Sequence, residues 1–176
     1  AVVVATEGPE AARLLGTGET IASRPATCVY YDADRPPIKE PFLVLNADGS
    51  GPVHSLSVPS LVAPTYAPPN KTLIAAVVLG DEFVRNQALE DLVRQQLAGW
   101  FGAEVKNWAH ITTITIDHAL PRQAPPTSSP YTIPQPYAEQ IRICGEHQSL
   151  PGLLWALMSG EMTGLSLVES REKVVS

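Results

Sequence analysis

The chain of 176 residues lacks the features that define several large classes of protein. It has no cluster of Lys and Arg, and its formal net charge is −6. Because nucleic acid is bound through clustered positive charge at the phosphates, we expect no nucleic-acid partner. Its most apolar stretch, Leu150 to Leu157, is far shorter than the roughly 20 residues of a membrane-spanning helix. We therefore expect no transmembrane segment.

Metal-binding and redox patterns are scarce as well. The histidines are His54, His110, His118 and His147. Their spacing does not resemble that of a zinc site, so we predict no metal centre. Cys28 and Cys144 each lie in an apolar, strand-like run, which favours two buried, reduced thiols. A disulfide between them remains an alternative, because sequence alone does not reveal cysteine pairing.

The sequence also lacks the Gly-x-Gly-x-x-Gly pattern with which dinucleotide-binding folds hold a pyrophosphate. The stretch Gly16-Thr17-Gly18 has no third glycine and does not directly follow a strand. No leader segment is visible. The chain opens on an apolar run without a Met, which favours a portion of a longer protein.

The two ends of the chain each predict a strand followed by a helix. Residues 1 to 5 form a small apolar run, typical of a strand buried on both faces. The amphipathic segment Glu10 to Leu15 predicts a helix that Gly16 ends. Near the other end, Ile141 to Cys144 predicts a strand and Pro151 to Val168 a helix. Because glycine disfavours helices, Gly160 and Gly164 within it indicate either close packing or a break near Gly160.

The middle of the chain predicts a mostly antiparallel sheet with one helix. The β-rich stretches are Thr27 to Tyr31, Phe42 to Leu45, Val53 to Val58 and Leu73 to Leu79. The apolar stripe in Asn86 to Phe101 predicts a helix. Ile and Thr alternate from Ile111 to Ile116, which predicts a strand with one buried face. Residues His118 to Gln123 then leave the strand, and Ala124 to Pro136 reads as a loop.

These patterns predict a mixed α/β (α+β) fold. The two ends of the chain form a Rossmann-like layer, and an inserted, mostly antiparallel sheet with one helix forms a second layer or domain. The predicted boundaries are 1–20, 21–138 and 139–176. We expect the first and last strands to pair in one sheet.

The turn Gly145-Glu146 is the first candidate site. A strand that enters a helix through a glycine turn brings backbone N–H groups to a phosphate or cofactor. The acidic Glu146 suits a sugar hydroxyl, or a water beside a pyrophosphate, better than phosphate itself. Two further pairs of readings stay open. His118 and Arg122 either line a substrate cavity or face solvent, and Tyr30, Tyr31 and Tyr66 form either an aromatic wall or core packing.

Four short motifs resemble one known family. They are Ala1-Val-Val-Val-Ala-Thr6, His118-Ala-Leu-Pro-Arg122, Cys144-Gly-Glu-His147 and Trp155-Ala-Leu-Met-Ser-Gly160. Together they resemble the C-terminal part of the FAD-dependent amine oxidase superfamily, which includes monoamine oxidases, protoporphyrinogen oxidase and phytoene desaturase-like enzymes. The final motif is the specific part; the middle of the chain is compatible with the family.

The resemblance implies a cofactor, a reaction and a set of contacts. Gly145 and Glu146 would face the ribityl-phosphate part of FAD. Gly152, Leu153 and Leu154 would lie at a helix start beneath the isoalloxazine ring, where a helix N-terminus stabilises negative charge. The reaction would be hydride transfer to flavin from a small or lipophilic substrate. No catalytic residue is assigned. The desaturase-like branch implies a soluble intracellular protein, in plants a chloroplast one.

Two departures from the family matter. Trp155 stands where the family often has glycine, and the Gly-x-Gly-x-x-Gly fingerprint is absent. The chain alone should therefore hold FAD poorly. Its implied partner is the FAD-binding N-terminal half or a separate chain. His147 either contacts the flavin side or is an exposed turn residue.

Three functional hypotheses follow. The first is the C-terminal portion of an FAD-dependent oxidoreductase. The second is a non-catalytic remnant or accessory subunit that binds a protein partner without FAD. The third is an unrelated small-molecule-binding domain. The first two require that the strands at the two ends of the chain be near neighbours in one sheet.

Overall fold

The structure is a computed structural model that describes residues 1–18, 22–84, 86–124, 137, 138 and 140–175. The side chains of residues 84 and 169–175 are outside this description, as is most of the predicted loop 124–136. The strands are β1 (Val2–Val4), β2 (Ser23–Ala33), β3 (Val44–Leu45), β4 (Val53–Ser57), β5 (Thr72–Leu79), β6 (Ala109–Pro121) and β7 (Ile141–Ile143). The helices are α1 (Gly8–Leu15), α2 (Pro59–Val62), α3 (Asp81–Val84), α4 (Leu89–Phe101) and α5 (Leu153–Val175).

The chain divides into two compact units. One unit contains Ala1–Arg24 and His118–Ser176, and the other contains Pro25–Asp117. The first unit contains a parallel sheet of two strands. The second unit contains most of a sheet of five strands. The predicted mixed α/β fold class is confirmed.

The first unit joins the two ends of the chain. Strands β1 and β7 pair in parallel, with Val2 opposite Ile141 and Val4 opposite Ile143. This pairing confirms the expectation on which the first two hypotheses depend. Helix α1 has a proline in its first turn and ends at Gly16, whose φ of 62° is left-handed, as predicted.

The prediction that the first strand is buried on both faces is wrong. Val2 is 60% exposed and Val3 is 42% exposed. The physical reason is that the parallel sheet has only two strands among the described residues. Parallel strands are ordinarily covered on both faces, so this sheet presents apolar surface that the described residues do not cover.

Helix α5 is longer and more regular than predicted. It begins at Leu153 and extends to Val175 without a break at Gly160 or Gly164. The predicted close packing at these glycines is also wrong, because a Cβ added at either would meet nothing within 4 Å. Several of its apolar side chains are exposed, namely Leu153, Leu154, Leu157, Leu165 and Val168.

The sheet of the second unit has the strand order β3-β4-β5-β2-β6. Strands β2 and β5 form its antiparallel centre, from Ala26 opposite Leu79 to Ala33 opposite Thr72. Alternate residues of β2 are buried, among them Val29 and Tyr31. The core also includes Val53, Leu56, Ile74, Val78, Val93, Leu97, Val105 and Trp108.

Helix α4 covers the core face of this sheet. Its buried positions, Leu89, Val93 and Leu97, are spaced by four residues, which confirms the predicted apolar stripe. Trp100 and Phe101 pack against the same core, as predicted. The helix begins at Leu89, three residues later than the pattern indicated.

The strand predicted at residues 111–116 exists, but its predicted burial is wrong. Strand β6 lies at an edge of the sheet and extends to Pro121. Its isoleucines remain about half exposed, at 53% for Ile111, 49% for Ile114 and 53% for Ile116. An edge strand has only one neighbour, and no described element covers these side chains. Because β6 continues to Pro121, His118 belongs to the strand and not to a following loop.

Candidate functional site

The Gly145–Glu146 turn has a backbone geometry that only glycine adopts readily. Gly145 has φ 143° and ψ 169°, and a Cβ there would lie 2.9 Å from the His147 ring and 3.3 Å from the Thr6 carbonyl oxygen. Its N–H donates to Ser159 Oγ at 3.1 Å. Just before it, the Cys144 N–H donates to the Val4 carbonyl at 3.0 Å. The turn is therefore tied both to β1 and to α5.

Glu146 directly joins the turn to the start of α5. Its Oε2 accepts a hydrogen bond from the Gly152 N–H at 2.6 Å. The first N–H groups of a helix have no partner within the helix, and a carboxylate near them is stabilised by the helix dipole. The predicted site residues Gly145, Glu146 and Gly152 are thus brought together in one short segment.

The start of α5 is open. Gly152 has φ 123°, and a Cβ added to it would meet nothing within 4 Å. Leu153 is 76% exposed and Leu154 is 62% exposed. Trp155 is half-buried, with its N–H donating to the Gly152 carbonyl at 3.1 Å. A planar apolar group has room to approach the helix start at these two leucines.

His147 lies on the inner side of the turn. Burial lowers the pKa of its imidazole, and the neighbouring Glu146 carboxylate opposes that shift. Both ring nitrogens are buried without a hydrogen-bond partner among the described residues. The sequence-level alternative of an exposed turn residue is therefore wrong, because the ring packs against the backbone of Gly145.

His118 and Arg122 have different hydrogen-bond partners in the structure. Ser23 Oγ lies 2.5 Å from His118 Nδ1, and His118 is exposed. Arg122 is exposed too, and its backbone N–H donates to the Ala22 carbonyl at 2.8 Å. Ser23 was not predicted as a site residue. It is separated from His118 by 95 positions, and no local pattern marks that pair.

The two cysteines are free thiols. Cys144 is buried and Cys28 is half-buried. Burial raises the pKa of both thiols, and at Cys28 the Tyr30 hydroxyl partly opposes the shift. Both thiols are therefore protonated near neutral pH, which disfavours a nucleophilic role.

The three tyrosines do not form one aromatic wall. Tyr31 is fully buried in the core, and the Arg94 guanidinium carbon lies 5.1 Å from the centre of its ring. Tyr66 is exposed. Tyr30 directly precedes Tyr31 in β2 and so faces the opposite side of the sheet. The core-packing alternative is confirmed for Tyr31 alone.

The face of the sheet opposite α4 carries mostly small and apolar side chains. The pairs Tyr30–Ala75 and Cys28–Val77 lie on this face, and Val77 is in turn opposite Ser55. Leu45, opposite Ser55, and Leu79 are exposed. We call this surface the open sheet face. It offers an apolar surface with a few hydroxyl and thiol groups.

The carboxylates of Asp32 and Asp34 share one ammonium group, that of Lys71. Asp32 lies within β2, and Lys71 Nζ is 3.1 Å from its Oδ2. The same ammonium group is 2.9 Å from Asp34 Oδ1 and lowers the pKa of that carboxyl group. Within the described residues, His, Cys, Asp and Glu side chains form no group of three or more that could hold a metal ion.

None of the described helices is both long and apolar enough to cross a membrane. The chloroplast location stays a prediction.

Comparisons with known proteins identify a shared fold. No protein-family model matches the chain. No curated protein matches it in sequence. A crystal structure of an oxidoreductase from Methanosarcina mazei is similar over 89% of this chain, with a TM-score of 0.63 and 13% sequence identity. The match covers 36% of that protein, so this chain spans little more than a third of its length.

A second similar structure is a protein from Pyrococcus furiosus. It is 12% identical, and the match covers 76% of this chain and 28% of that one, with a TM-score of 0.49. At these identities the likeness to the Methanosarcina protein establishes that this chain shares the fold of part of that structure.

Proposed function

We propose that this chain forms part of an FAD-dependent oxidoreductase related to the amine oxidase superfamily. The observation that carries the proposal is the parallel pairing of β1 with β7, which brings the two ends of the chain together at a glycine turn and a helix start. The fold shared with an oxidoreductase from Methanosarcina mazei supports the general class of reaction. The motifs around Gly145 support the flavin.

The residues at the turn fit a flavin contact. Gly145 and Glu146 would contact the ribityl-phosphate part, and Gly152, Leu153 and Leu154 would lie beneath the ring. The exposed leucines and the open space at Gly152 leave room for a planar group. When bound, a flavin would supply the acceptor for a hydride. The N-terminus of α5 would stabilise negative charge on it.

The open sheet face supports a lipophilic or small substrate. It combines exposed Leu45 and Leu79 with the half-buried Val77. Burying such apolar surface contributes about 25 cal/mol per Å². The half-buried side chains of Cys28 and Tyr30 on this face would orient the substrate.

The proposed cofactor site needs further polypeptide. The chain has no Gly-x-Gly-x-x-Gly loop, and the described parallel sheet has two strands with exposed Val2 and Val3. A further parallel layer, in the same polypeptide or in a partner chain, would cover these valines and hold the pyrophosphate. The exposed leucines of α5 would be buried by the same layer.

A specific observation favours a second candidate, an accessory subunit without FAD. The Glu146 carboxylate is already engaged by the Gly152 N–H, so the turn is stable without a ligand. Trp155, in place of a small residue, adds bulk near the helix start. Such a subunit would use its exposed apolar surface to bind a protein partner.

Flavin content separates the two candidates. The protein purified from its native source should show flavin absorption and release FAD on denaturation. A Glu146→Gln variant keeps an acceptor for Gly152 but loses the charge, so it should bind FAD about tenfold more weakly, as expected for one charged hydrogen bond. Glu161→Gln, on the exposed side of α5, is the control and should bind normally. Colourless protein that takes up no FAD would exclude the flavoenzyme and favour the accessory subunit.

A further inference from the structure

A small cavity with polar groups in its lining lies beside the Gly145–Glu146 turn, within the first unit. Its volume is about 10 Å³, and its polar lining consists of Glu7, Ser23, His118, Glu146 and His147. A cavity of this size is just large enough for one water molecule, provided that polar groups surround it. The four titratable side chains that face it are therefore close enough to interact through a single water.

His147 supplies the strongest reason to expect such a water. A neutral imidazole has one donor and one acceptor nitrogen, and both nitrogens of this ring are buried without a partner among the described residues. Buried polar atoms are nearly always hydrogen-bonded to protein or to ordered water. A water in the cavity would give this ring a partner.

The Ser23–His118 pair connects the same cavity to solvent. Ser23 Oγ and His118 Nδ1 are 2.5 Å apart, and both residues line the cavity. His118 is exposed, whereas the His147 nitrogens are not. The hydroxyl thus lies between a buried imidazole and an exposed one.

We propose that His147, one water molecule and the Ser23–His118 pair form a proton relay from the Gly145–Glu146 turn to the solvent. Protonated His147 gives a proton to the water, and the water gives one of its protons to Ser23 Oγ. Ser23 gives its original hydroxyl proton to His118 Nδ1, and His118 releases the proton on Nε2 to the solvent. No electrons move, and one proton leaves for each one taken up by His147.

The relay serves a reaction that produces a proton. Removal of a hydride from a C–H bond leaves a cation, which forms a C=C or C=N bond by losing a proton from the neighbouring C–H or N–H. That proton must reach solvent. The link between the relay and a proton-producing reaction rests on the proposed function, whereas the relay itself does not. The carboxylates of Glu7 and Glu146 face the cavity and would stabilise the positive charge in transit.

Nuclear magnetic resonance of the ¹⁵N-labelled chain tests the relay without a flavin. The exchange of the His147 ring N–H with water is followed in imidazole correlation spectra. In His118→Asn, this exchange should slow about tenfold, because the relay loses the imidazole that releases the proton to the solvent. In Ser23→Ala, ring exchange should slow about tenfold.

Two controls complete the design. Ser23→Thr keeps a hydroxyl and should restore rapid exchange. His54→Asn changes an exposed histidine of the second unit and should leave His147 unaffected. Exchange of the His147 ring N–H as fast as in wild type, in either His118→Asn or Ser23→Ala, would overturn the relay. His118→Asn gives an independent answer if Ser23→Ala does not fold. Slowed exchange in both variants, together with protein from the native source that contains no FAD, would refute the proposed function and leave the relay standing.

Discussion

Replacing Gly145 by alanine tests how strictly the turn depends on glycine. The residue has φ 143° and ψ 169°, a region of backbone space occupied almost only by glycine. Holding another residue there costs about 1–3 kcal/mol. This term alone is a large part of the stability of a small folded unit.

Steric contacts add to that cost. The new Cβ would lie 2.9 Å from two atoms of the His147 ring and 3.3 Å from the Thr6 carbonyl oxygen. The imidazole can rotate away, but Thr6 oxygen belongs to the backbone that connects β1 to α1. Overpacking of this kind costs about 1–3 kcal/mol. We therefore expect Gly145→Ala to destabilise the turn by about 2–6 kcal/mol.

Hydrogen exchange of the Cys144 amide is the assay. This N–H donates to the Val4 carbonyl at 3.0 Å, so its exchange reports the opening of β7 from β1. A loss of about 2.8 kcal/mol corresponds to exchange about 100-fold faster. The matched control is Gly160→Ala, at a helical glycine with nothing within 4 Å of the added Cβ. That change should stabilise α5 by about 1 kcal/mol. Unchanged exchange in Gly145→Ala, or equal acceleration in both variants, would refute the reasoning.

Three further predictions concern stability and are read from urea or pH denaturation. Glu146→Ala removes the acceptor of the Gly152 N–H and should lower the free energy of unfolding by about 1 kcal/mol, whereas Glu146→Gln should lower it much less. Equal losses in the two variants would contradict a stabilising hydrogen bond from Gly152 to Glu146. Arg94→Met should lower the free energy of unfolding by about 2–3 kcal/mol, because the Arg94 guanidinium donates to two backbone carbonyls and to a carboxylate. Arg13→Met, at an exposed ion pair, should leave that free energy almost unchanged. Burial raises the pKa of Tyr31 above its unfolded value of about 10, so stability should fall as pH rises above about 10. Tyr31→Phe should remove that part of the pH dependence, and an unaltered profile would contradict it.

Sequence patterns predicted the elements of the fold well where the pattern is local. The apolar stripe of α4, ending at Phe101, and the glycine end of α1 depend on spacing and on backbone preference within a few residues. The parallel partnership of the first and last strands was inferred from the two βα segments. Its register, with Val3 opposite Arg142, depends on contacts between distant residues and could not be inferred.

Burial was predicted less well, for a physical reason. Alternation of Ile and Thr predicts a strand but does not say whether anything covers its apolar side chains, and Ile114 remains half exposed. The apolar strand β1 was also predicted to be buried, and its Val2 and Val3 are exposed. Both patterns describe surfaces that suit burial, but burial depends on which elements pack against a strand, and a local pattern does not contain that information.

The candidate site was predicted in part. Gly145 and Glu146 were singled out because a glycine turn between strand and helix is a local signal. The bond from Glu146 to Gly152 spans six positions and follows from the fold of the turn. The Ser23–His118 contact could not be predicted, because it joins residues from two separate segments that meet only in the folded unit.

The most direct test of the proposed flavin site is hydrogen exchange across residues 144–154, in the protein from its native source, with and without bound FAD. The account predicts slower exchange in this segment when FAD is bound, together with a weaker effect in Glu146→Gln. Bound FAD that leaves the exchange of residues 144–154 unchanged would contradict the site, and protein that binds no FAD would contradict the function.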